Sequence, residues 1–249
     1  MLQYDLLFSV KIIENGALLV NKKIIKEVDY YKNLKSKFPD LKVYDYGSSL
    51  IIAGFVDCHM HYPQTNIIAS YGKRLLDWLN KYTFPEESKF TDYEYAKKIA
   101  SFTLDQCLRN GITTVSSYCT TSVVSVDAFF NEAIKKDMCV VAGRTCMNRN
   151  APEELLDDTK KSYDESELLI KKWHLKERLN YAITPRFALT SSSSQLESLG
   201  DLWKKYPDCL MQTHLSEQKE EIEWVSKLFP ESESYLNVYD KFNLVKKNS

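Results

Sequence analysis

From residue 54 onward, short apolar runs alternate with amphipathic stretches along the chain. The apolar runs at 50–58, 112–118, 138–146, 179–187 and 209–215 have the length and composition of buried strands. Regular alternation of strands and helices is typical of a parallel sheet with helical crossovers. The sequence therefore predicts an α/β fold, a partial (β/α)8 barrel of the TIM type with about five βα units.

The stretches between these runs carry helical signals. Thr91-Asp92-Tyr93-Glu94 has the form of a capping box, and apolar residues follow it at helical spacing as far as Asn110-Gly111. Two further amphipathic patterns, at 196–203 and 222–229, predict two more helices.

The first part of the chain has a different pattern. Runs at 6–13, 17–20, 24–28 and 43–52 predict strands, Asn15-Gly16 predicts a hairpin-type turn, and 30–38 predicts a short helix. We therefore expect two domains: a small β-rich unit at 1–53, part of a composite β domain, and an incomplete barrel at 54–249.

Composition limits the classes of partner. The 249 residues carry 33 Lys and Arg against 34 Asp and Glu, so charge gives no reason to expect a nucleic-acid or membrane partner. The six cysteines form no CxxC pair, several lie in apolar runs, and reduced thiols fit them best. With no signal-peptide pattern and no apolar run of membrane-spanning length, we expect a cytoplasmic protein.

Two histidines, His59 and His61, stand at the end of the apolar run 50–58, which we expect to be a fully buried parallel strand. Residues i and i+2 of a strand project to the same face, so both imidazoles point the same way, as ligands of one divalent metal would. The alternative is a polar pair that opens a loop.

A third histidine, His214, ends the fifth predicted strand, and a barrel would bring it across the mouth toward the first pair. As a lone histidine it is more often a hydrogen-bonded core residue. Glu217 follows three residues later, either as a carboxylate in the first helical turn with Ser216 as N-cap, or as a general acid/base beside a metal-bound water. His174, among lysines, is expected at the surface.

Several motifs together resemble the guanine deaminase family of the amidohydrolase superfamily, and the resemblance runs essentially from end to end. The HxH pair alone indicates only the superfamily, whereas HYPQ, the LLDWLNKYTFP block and TPRF narrow it to this family. The motifs are the segments 59–64, 75–86, 143–144, 184–187, 213–217 and 238–244.

The resemblance implies a set of site residues. It implies zinc as the cofactor, with His59, His61 and His214 as its ligands, and Glu217 as the catalytic proton shuttle. Its implied substrate-binding residues, some of them shared with the metal site, are His61, Tyr62, Pro63, Gln64, Arg186, Phe187 and His214.

Within that set, Gln64 and Arg186 are expected to hydrogen-bond the purine, Phe187 to pack on its plane, and Tyr62 and Pro63 to form the wall beside it. The reaction implied is hydrolysis of guanine to xanthine and ammonia in purine catabolism, by an enzyme that is a homodimer at full length.

The family pattern also includes a histidine and an aspartate on later strands, and the sequence ends before either position. The resemblance therefore predicts the N-terminal portion of such an enzyme. Two alternatives stay open: a catalytically silent fragment that associates with full-length subunits, and a related amidohydrolase that acts on another heterocycle. The sequence does not decide between them.

Overall fold

The structure, a computed structural model, describes residues 11–72 and 74–246 and divides into two compact units between Ile52 and Ala53. The first unit contains an antiparallel hairpin and one helix. Its elements are β1 (Gly16–Asn21), β2 (Ile24–Tyr30) and α1 (Tyr31–Lys37). The predicted strands at 17–20 and 24–28 and the short helix are thereby confirmed.

The hairpin turn of this unit lies at Lys22 and Lys23, whose backbones have φ of 49° and 67°. Asn15-Gly16 forms a separate turn before β1, closed by a hydrogen bond of 3.1 Å from Gly16 N to Ile13 O. The predicted strand at 6–13 lies largely outside the described residues. The strand predicted at 43–52 is wrong: this stretch pairs with no described strand and is exposed along its length.

The second unit alternates strands and helices. Its strands are β3 (Phe55–His61), β4 (Ile112–Tyr118), β5 (Cys139–Gly143), β6 (Thr145–Cys146), β7 (Leu179–Pro185) and β8 (Leu210–Met211). Its helices are α2 (Leu75–Trp78), α3 (Phe84–Glu87), α4 (Tyr93–Arg109), α5 (Val123–Lys135), α6 (Thr159–Trp173), α7 (Ser193–Lys205), α8 (Lys219–Leu228) and α9 (Tyr235–Lys241). A 3-10 segment, Tyr62–Ile67, follows β3, and a π-helical turn, Leu79–Thr83, joins α2 to α3.

All strand pairs of this unit are parallel. β3 pairs with β4, β4 with β5, and β7 pairs with β5, β6 and β8, which gives the strand order β3-β4-β5-β7-β6 with β8 also beside β7. Tyr118 at the end of β4 is level with His61 on one side and Gly143 on the other. The predicted α/β class and the partial barrel are confirmed, and the carboxyl ends of the strands meet along one edge.

Two of the predicted strands differ from the structure. The first apolar run is not fully buried: β3 pairs with β4 alone among the described strands, and Phe55 and Val56 on this edge are 56% and 61% exposed. The last run pairs over only two residues, although hydrogen bonds from Gln212 N to Ile183 O and His214 N to Arg186 O keep the chain beside β7.

Two helices begin later than the sequence predicts. Asp92, rather than Thr91, caps α4, since its side chain accepts from the backbone N–H groups of the next turn. α8 is capped by Gln218 in a capping box with Glu221, so Ser216 is not an N-cap. Among the described residues, no helix is both long and apolar enough to span a bilayer.

Helices packed on the sheet bury an apolar core. Leu104 of α4 and Phe129 of α5 have no exposed surface, and neither do Val115 and Val140 on the strands beneath them. This core fixes the strands at whose carboxyl ends His61, Tyr118 and Arg186 lie. Burying each such side chain stabilises the fold by about 1.5–3 kcal/mol.

One helix approaches its neighbour so closely that only glycine fits. A Cβ on Gly200, in the middle of α7, would lie 1.9 Å from the carbonyl oxygen of Phe242. Backbone atoms cannot move aside as cheaply as a flexible side chain. The requirement for glycine here is therefore steric.

We predict that Gly200→Ala lowers the free energy of unfolding by about 1–3 kcal/mol, because the added methyl overpacks this contact. Helix propensity alone gives the opposite sign, since alanine is favoured over glycine by about 1 kcal/mol. Urea unfolding of the variant measures the difference, with Glu197→Ala on the exposed side of α7 as control. A Gly200→Ala variant as stable as the parent would contradict the contact.

Candidate active site

Three histidines converge where the strands end. His59 and His61 lie on β3 with ring centroids 5.2 Å apart, and the His214 ring lies 5.0 Å from each of them. One donor atom from each side chain falls within 4.8 Å of the others, and the Nε2 atoms of His61 and His214 are 3.0 Å apart. The structure thus brings all three proposed metal ligands together.

The spacing suits one tetrahedral ion. Two Zn–N bonds of about 2.0–2.1 Å at a tetrahedral angle place their nitrogens roughly 3.3 Å apart, close to the observed separation of Nε2 atoms. His214 Nδ1 lies 2.7 Å from the carbonyl oxygen of Arg186. That acceptor fixes the proton on Nδ1 and leaves the Nε2 lone pair for a metal. The residues present therefore fit a divalent cation.

Burial keeps two of these imidazoles, those of His61 and His214, neutral. It lowers the pKa of His214 to about 3, although the hydrogen bond to the Arg186 carbonyl opposes the shift. Burial likewise lowers the pKa of His61 well below its usual value, and the Arg186 guanidinium and the other two histidines add to the effect. A neutral imidazole is the form that binds a metal, so this environment favours coordination.

Tyr118 supports the histidine cluster from β4. Its ring stacks on His61 at a centroid distance of 4.5 Å and an interplanar angle of 12°, and lies 4.3 Å from the His214 ring. The sequence analysis did not single out Tyr118. The only signal for it was its position as the last residue of a predicted strand.

An open pocket of about 160 Å³ adjoins the three histidines. Polar side chains of Gln64, Arg186 and Glu217 line it together with the ring of Phe187. Leu75, Trp78 and Leu79 complete the lining with apolar side chains.

Tyr62 and Pro63 are not brought to this pocket. The Tyr62 ring is fully buried and stacks on Phe129 at 4.4 Å, and its hydroxyl donates to the Ser125 carbonyl at 2.6 Å. Pro63 is the second residue of the 3-10 segment and is also buried. Both residues anchor the chain that carries Gln64, whose amide nitrogen lies 3.1 Å from His61 Nδ1.

Glu217 lies in the loop between β8 and α8, rather than in the first helical turn. Its Oε1 is 4.0 Å from His214 Nε2, and its backbone N–H donates to Glu221 Oε2 at 2.8 Å. Burial raises the pKa of its carboxyl, and the nearby Glu221 raises it further. Ser216 before it has a φ of 57°, a left-handed backbone that is uncommon outside glycine.

Arg186 is held by a carboxylate that the sequence analysis missed. Its Nη1 and Nη2 donate to Glu87 at 2.6 and 3.1 Å, and Glu87 also accepts from Gln64 Nε2 at 3.1 Å. Two adjacent glutamates end α3, and nothing in their sequence distinguishes Glu87 from Glu86. Only the fold shows which of them reaches Arg186 and Gln64.

Two other sequence features lie elsewhere. His174 is not a surface residue: its side chain is 7% exposed, its Nδ1 accepts from Tyr181 N at 3.1 Å, and its Nε2 lies 3.3 Å from Asp208. Arg144, part of the motif at 143–144, is fully buried in ion pairs with Asp157 and Glu165 and does not line the pocket. Both stabilise the surrounding structure.

Comparison with known proteins defines the class. The model of the amidohydrolase family matches residues 50–248, four-fifths of the chain, and the chain belongs to that family. Proteins of this family are metal-dependent, in agreement with the histidine cluster.

Among individual relatives, the chain is 45% identical to guanine deaminase of Escherichia coli (strain K12) over 241 residues, which is 96% of this chain and 55% of that protein. The solved structure of E. coli guanine deaminase matches with a TM-score of 0.92 at 46% identity and covers 95% of this chain and 55% of that one. Guanine deaminase from C. acetobutylicum with bound guanine in the active site matches with a TM-score of 0.89 at 34% identity and covers 94% and 56%. The chain thus spans about half the length of these relatives.

We predict that the chain binds about one divalent metal ion and that His59→Ala/His61→Ala loses it, because one remaining imidazole cannot hold a structural or catalytic ion. Mass-spectrometric metal analysis after dialysis measures the stoichiometry. Glu197→Ala on the exposed side of α7 is the control, since this residue lies outside both groups of possible metal ligands among the described residues. Undiminished metal in the double variant would rule out this site.

Proposed function

We propose that this chain carries the zinc-binding and purine-binding part of a guanine deaminase, which hydrolyses guanine to xanthine and ammonia. The observation that carries the proposal is the convergence of three imidazoles and Glu217 on one pocket lined by Gln64, Arg186 and Phe187. The similarity to guanine deaminases over nearly the whole chain supports the choice of substrate.

Zinc is the metal we propose for the three imidazoles, because nitrogen ligands in a tetrahedral arrangement with an open position are typical of catalytic zinc. When bound there, zinc supplies the Lewis acidity that makes water nucleophilic near neutral pH. His214 contributes an oriented lone pair, since its other nitrogen is tied to the Arg186 carbonyl.

Glu217 is the proton shuttle in this proposal. Its carboxylate accepts a proton from the attacking water and delivers it to the purine ring nitrogen, then takes the second proton from the newly added hydroxyl and delivers it to the departing amine. Its raised pKa suits this task, because a carboxyl with a pKa nearer to neutral pH accepts a proton more readily and can still give it up. The position 4.0 Å from His214 Nε2 keeps the carboxylate beside the metal ligands.

The purine is held by the remaining pocket groups. Arg186 offers N–H donors to ring acceptors, the Gln64 amide offers both donor and acceptor, and the Phe187 ring packs on the heterocycle. Leu75, Trp78 and Leu79 add apolar side chains to the pocket lining, which suits a flat aromatic ligand. We also propose assembly as a homodimer at full length, as the family resemblance implies.

The proposal is tested by a panel of amino-substituted heterocycles, with guanine, adenine and cytosine among them. We expect the zinc-loaded chain to bind guanine. We expect a full-length protein that includes this chain to convert guanine to xanthine and ammonia. Release of ammonia from another heterocycle in preference to guanine would overturn the substrate assignment. Absence of any guanine binding would overturn the proposal as a whole.

We predict that Glu217→Gln lowers kcat for guanine deamination by about 10²- to 10⁴-fold, because the amide cannot relay a proton. Metal content stays unchanged, since Glu217 is not one of the three clustered donors. Xanthine formation and metal analysis measure the two quantities. Glu220→Gln, an exposed acid of α8 that pairs with Arg74, is the matched control and should leave kcat unaltered. Turnover that survives Glu217→Gln would place the shuttle elsewhere.

A further inference from the structure

Glu87 is a buried carboxylate to which the proposed mechanism assigns no task. It ends α3, is 1% exposed, and lies against Arg186, which is 3% exposed. A buried charge is costly unless it is paired and hydrogen-bonded. Because both partners are buried, this ion pair is not an incidental surface contact, and we ask what it does in the pocket.

The carboxylate joins two pocket groups that come from different parts of the chain. Oε2 accepts from Arg186 Nη1 at 2.6 Å, and Oε1 accepts both from Arg186 Nη2 and from Gln64 Nε2 at 3.1 Å. Arg186 follows β7, whereas Gln64 lies in the 3-10 segment after β3. One side chain thereby sets the position of both groups relative to each other.

The geometry of the pair fixes an orientation as well as a position. Two parallel N–H···O bonds hold the planar guanidinium in the plane of the carboxylate. The Phe84 ring, with its centroid 5.5 Å from the guanidinium carbon, adds a contact beside that plane. The bonds to Glu87 use two of the five N–H groups of arginine and leave the others for a ligand in the pocket that Arg186 lines.

The neighbouring Glu86 shows that burial alone does not produce this arrangement. Glu86 is also buried, at 5% exposure, but accepts from Lys89 at 2.6 Å, Asn66 at 3.1 Å and the Tyr95 hydroxyl. It has no hydrogen bond to Gln64 or Arg186 in the described structure. Of these two adjacent carboxylates in the same helix, only Glu87 therefore holds Arg186 and Gln64.

We infer that Glu87 is a positioning residue for purine recognition, which holds Arg186 and Gln64 in the orientation that a 6-oxopurine requires. The inference rests on the proposed function. Because a guanidinium only donates hydrogen bonds, the ring edge that Arg186 reads must carry an acceptor, and the carbonyl oxygen of guanine is its strongest acceptor. Glu87 therefore contributes to the preference for guanine over 2-aminopurine, which lacks that oxygen.

The test compares Glu87→Gln with Glu86→Gln in the zinc-loaded chain. The dissociation constant of 2-aminopurine is measured by its own fluorescence, and that of guanine by competition. In Glu87→Gln we expect guanine to bind about 10-fold more weakly, the equivalent of one charge-assisted hydrogen bond. Binding of 2-aminopurine should change by less than about 2-fold, because it lacks the carbonyl oxygen toward which Glu87 orients the donors. Zinc content should stay at the parent value.

A second variant covers the case in which Glu87→Gln does not fold. Glu87→Asp keeps the buried charge and shortens the side chain by one methylene, so the ion pair survives while its geometry shifts. We expect the same selective loss of guanine binding in Glu87→Asp. Glu86→Gln should match the parent for both ligands.

The possible results are distinguishable. Equal losses for guanine and 2-aminopurine, or parent-like binding of both in Glu87→Gln and Glu87→Asp, would overturn the positioning role and leave the proposed function standing. Failure of the parent chain itself to bind guanine would overturn the proposed function and the inference that rests on it. In the protein that turns guanine over, the loss should fall on KM rather than on kcat, since the ring contact exists before and during the reaction.

Discussion

Arg186 connects the two parts of the site, because its backbone and its side chain serve different partners. Its carbonyl oxygen accepts from the backbone N–H of His214 at 3.0 Å and from His214 Nδ1 at 2.7 Å, which sets the position and the tautomer of that imidazole. Its guanidinium is held by Glu87 at the side of the pocket. The end of β7 thus aligns the proposed metal ligands with the groups that we propose to bind the purine, and a displacement here would disturb both.

A shared low-polarity environment then gives each group its chemical state. The same burial that lowers the pKa of His61 and His214 raises that of Glu217, because in each case the charged form loses its hydration. The histidines therefore stay neutral and able to bind a metal, while the carboxylate becomes a better proton carrier. The buried Arg186 guanidinium forms an ion pair with Glu87 in the same environment.

The sequence analysis succeeded where local pattern decides the outcome. The apolar run at 112–118 forms β4 with the predicted bounds, and His59 and His61 emerge from a strand end, as their spacing indicated. It failed where a neighbour decides the outcome. The run at 209–215 pairs over only Leu210 and Met211, so its apolar composition overstated the length of its pairing. Among the described strands β3 has a neighbour on one side only, so its apolar composition overstated its burial.

By itself, the sequence determined most of the strands and helices of the second unit, and that three histidines stand near strand ends. The reason is that the periodicity of a strand or a helix can be recognised from neighbouring residues. Only the tertiary structure decided that Glu87 rather than Glu86 reaches Arg186, and that Tyr118 lies against the imidazoles. Such contacts join residues as far as 99 positions apart, and they depend on strand order and register, which no local pattern records.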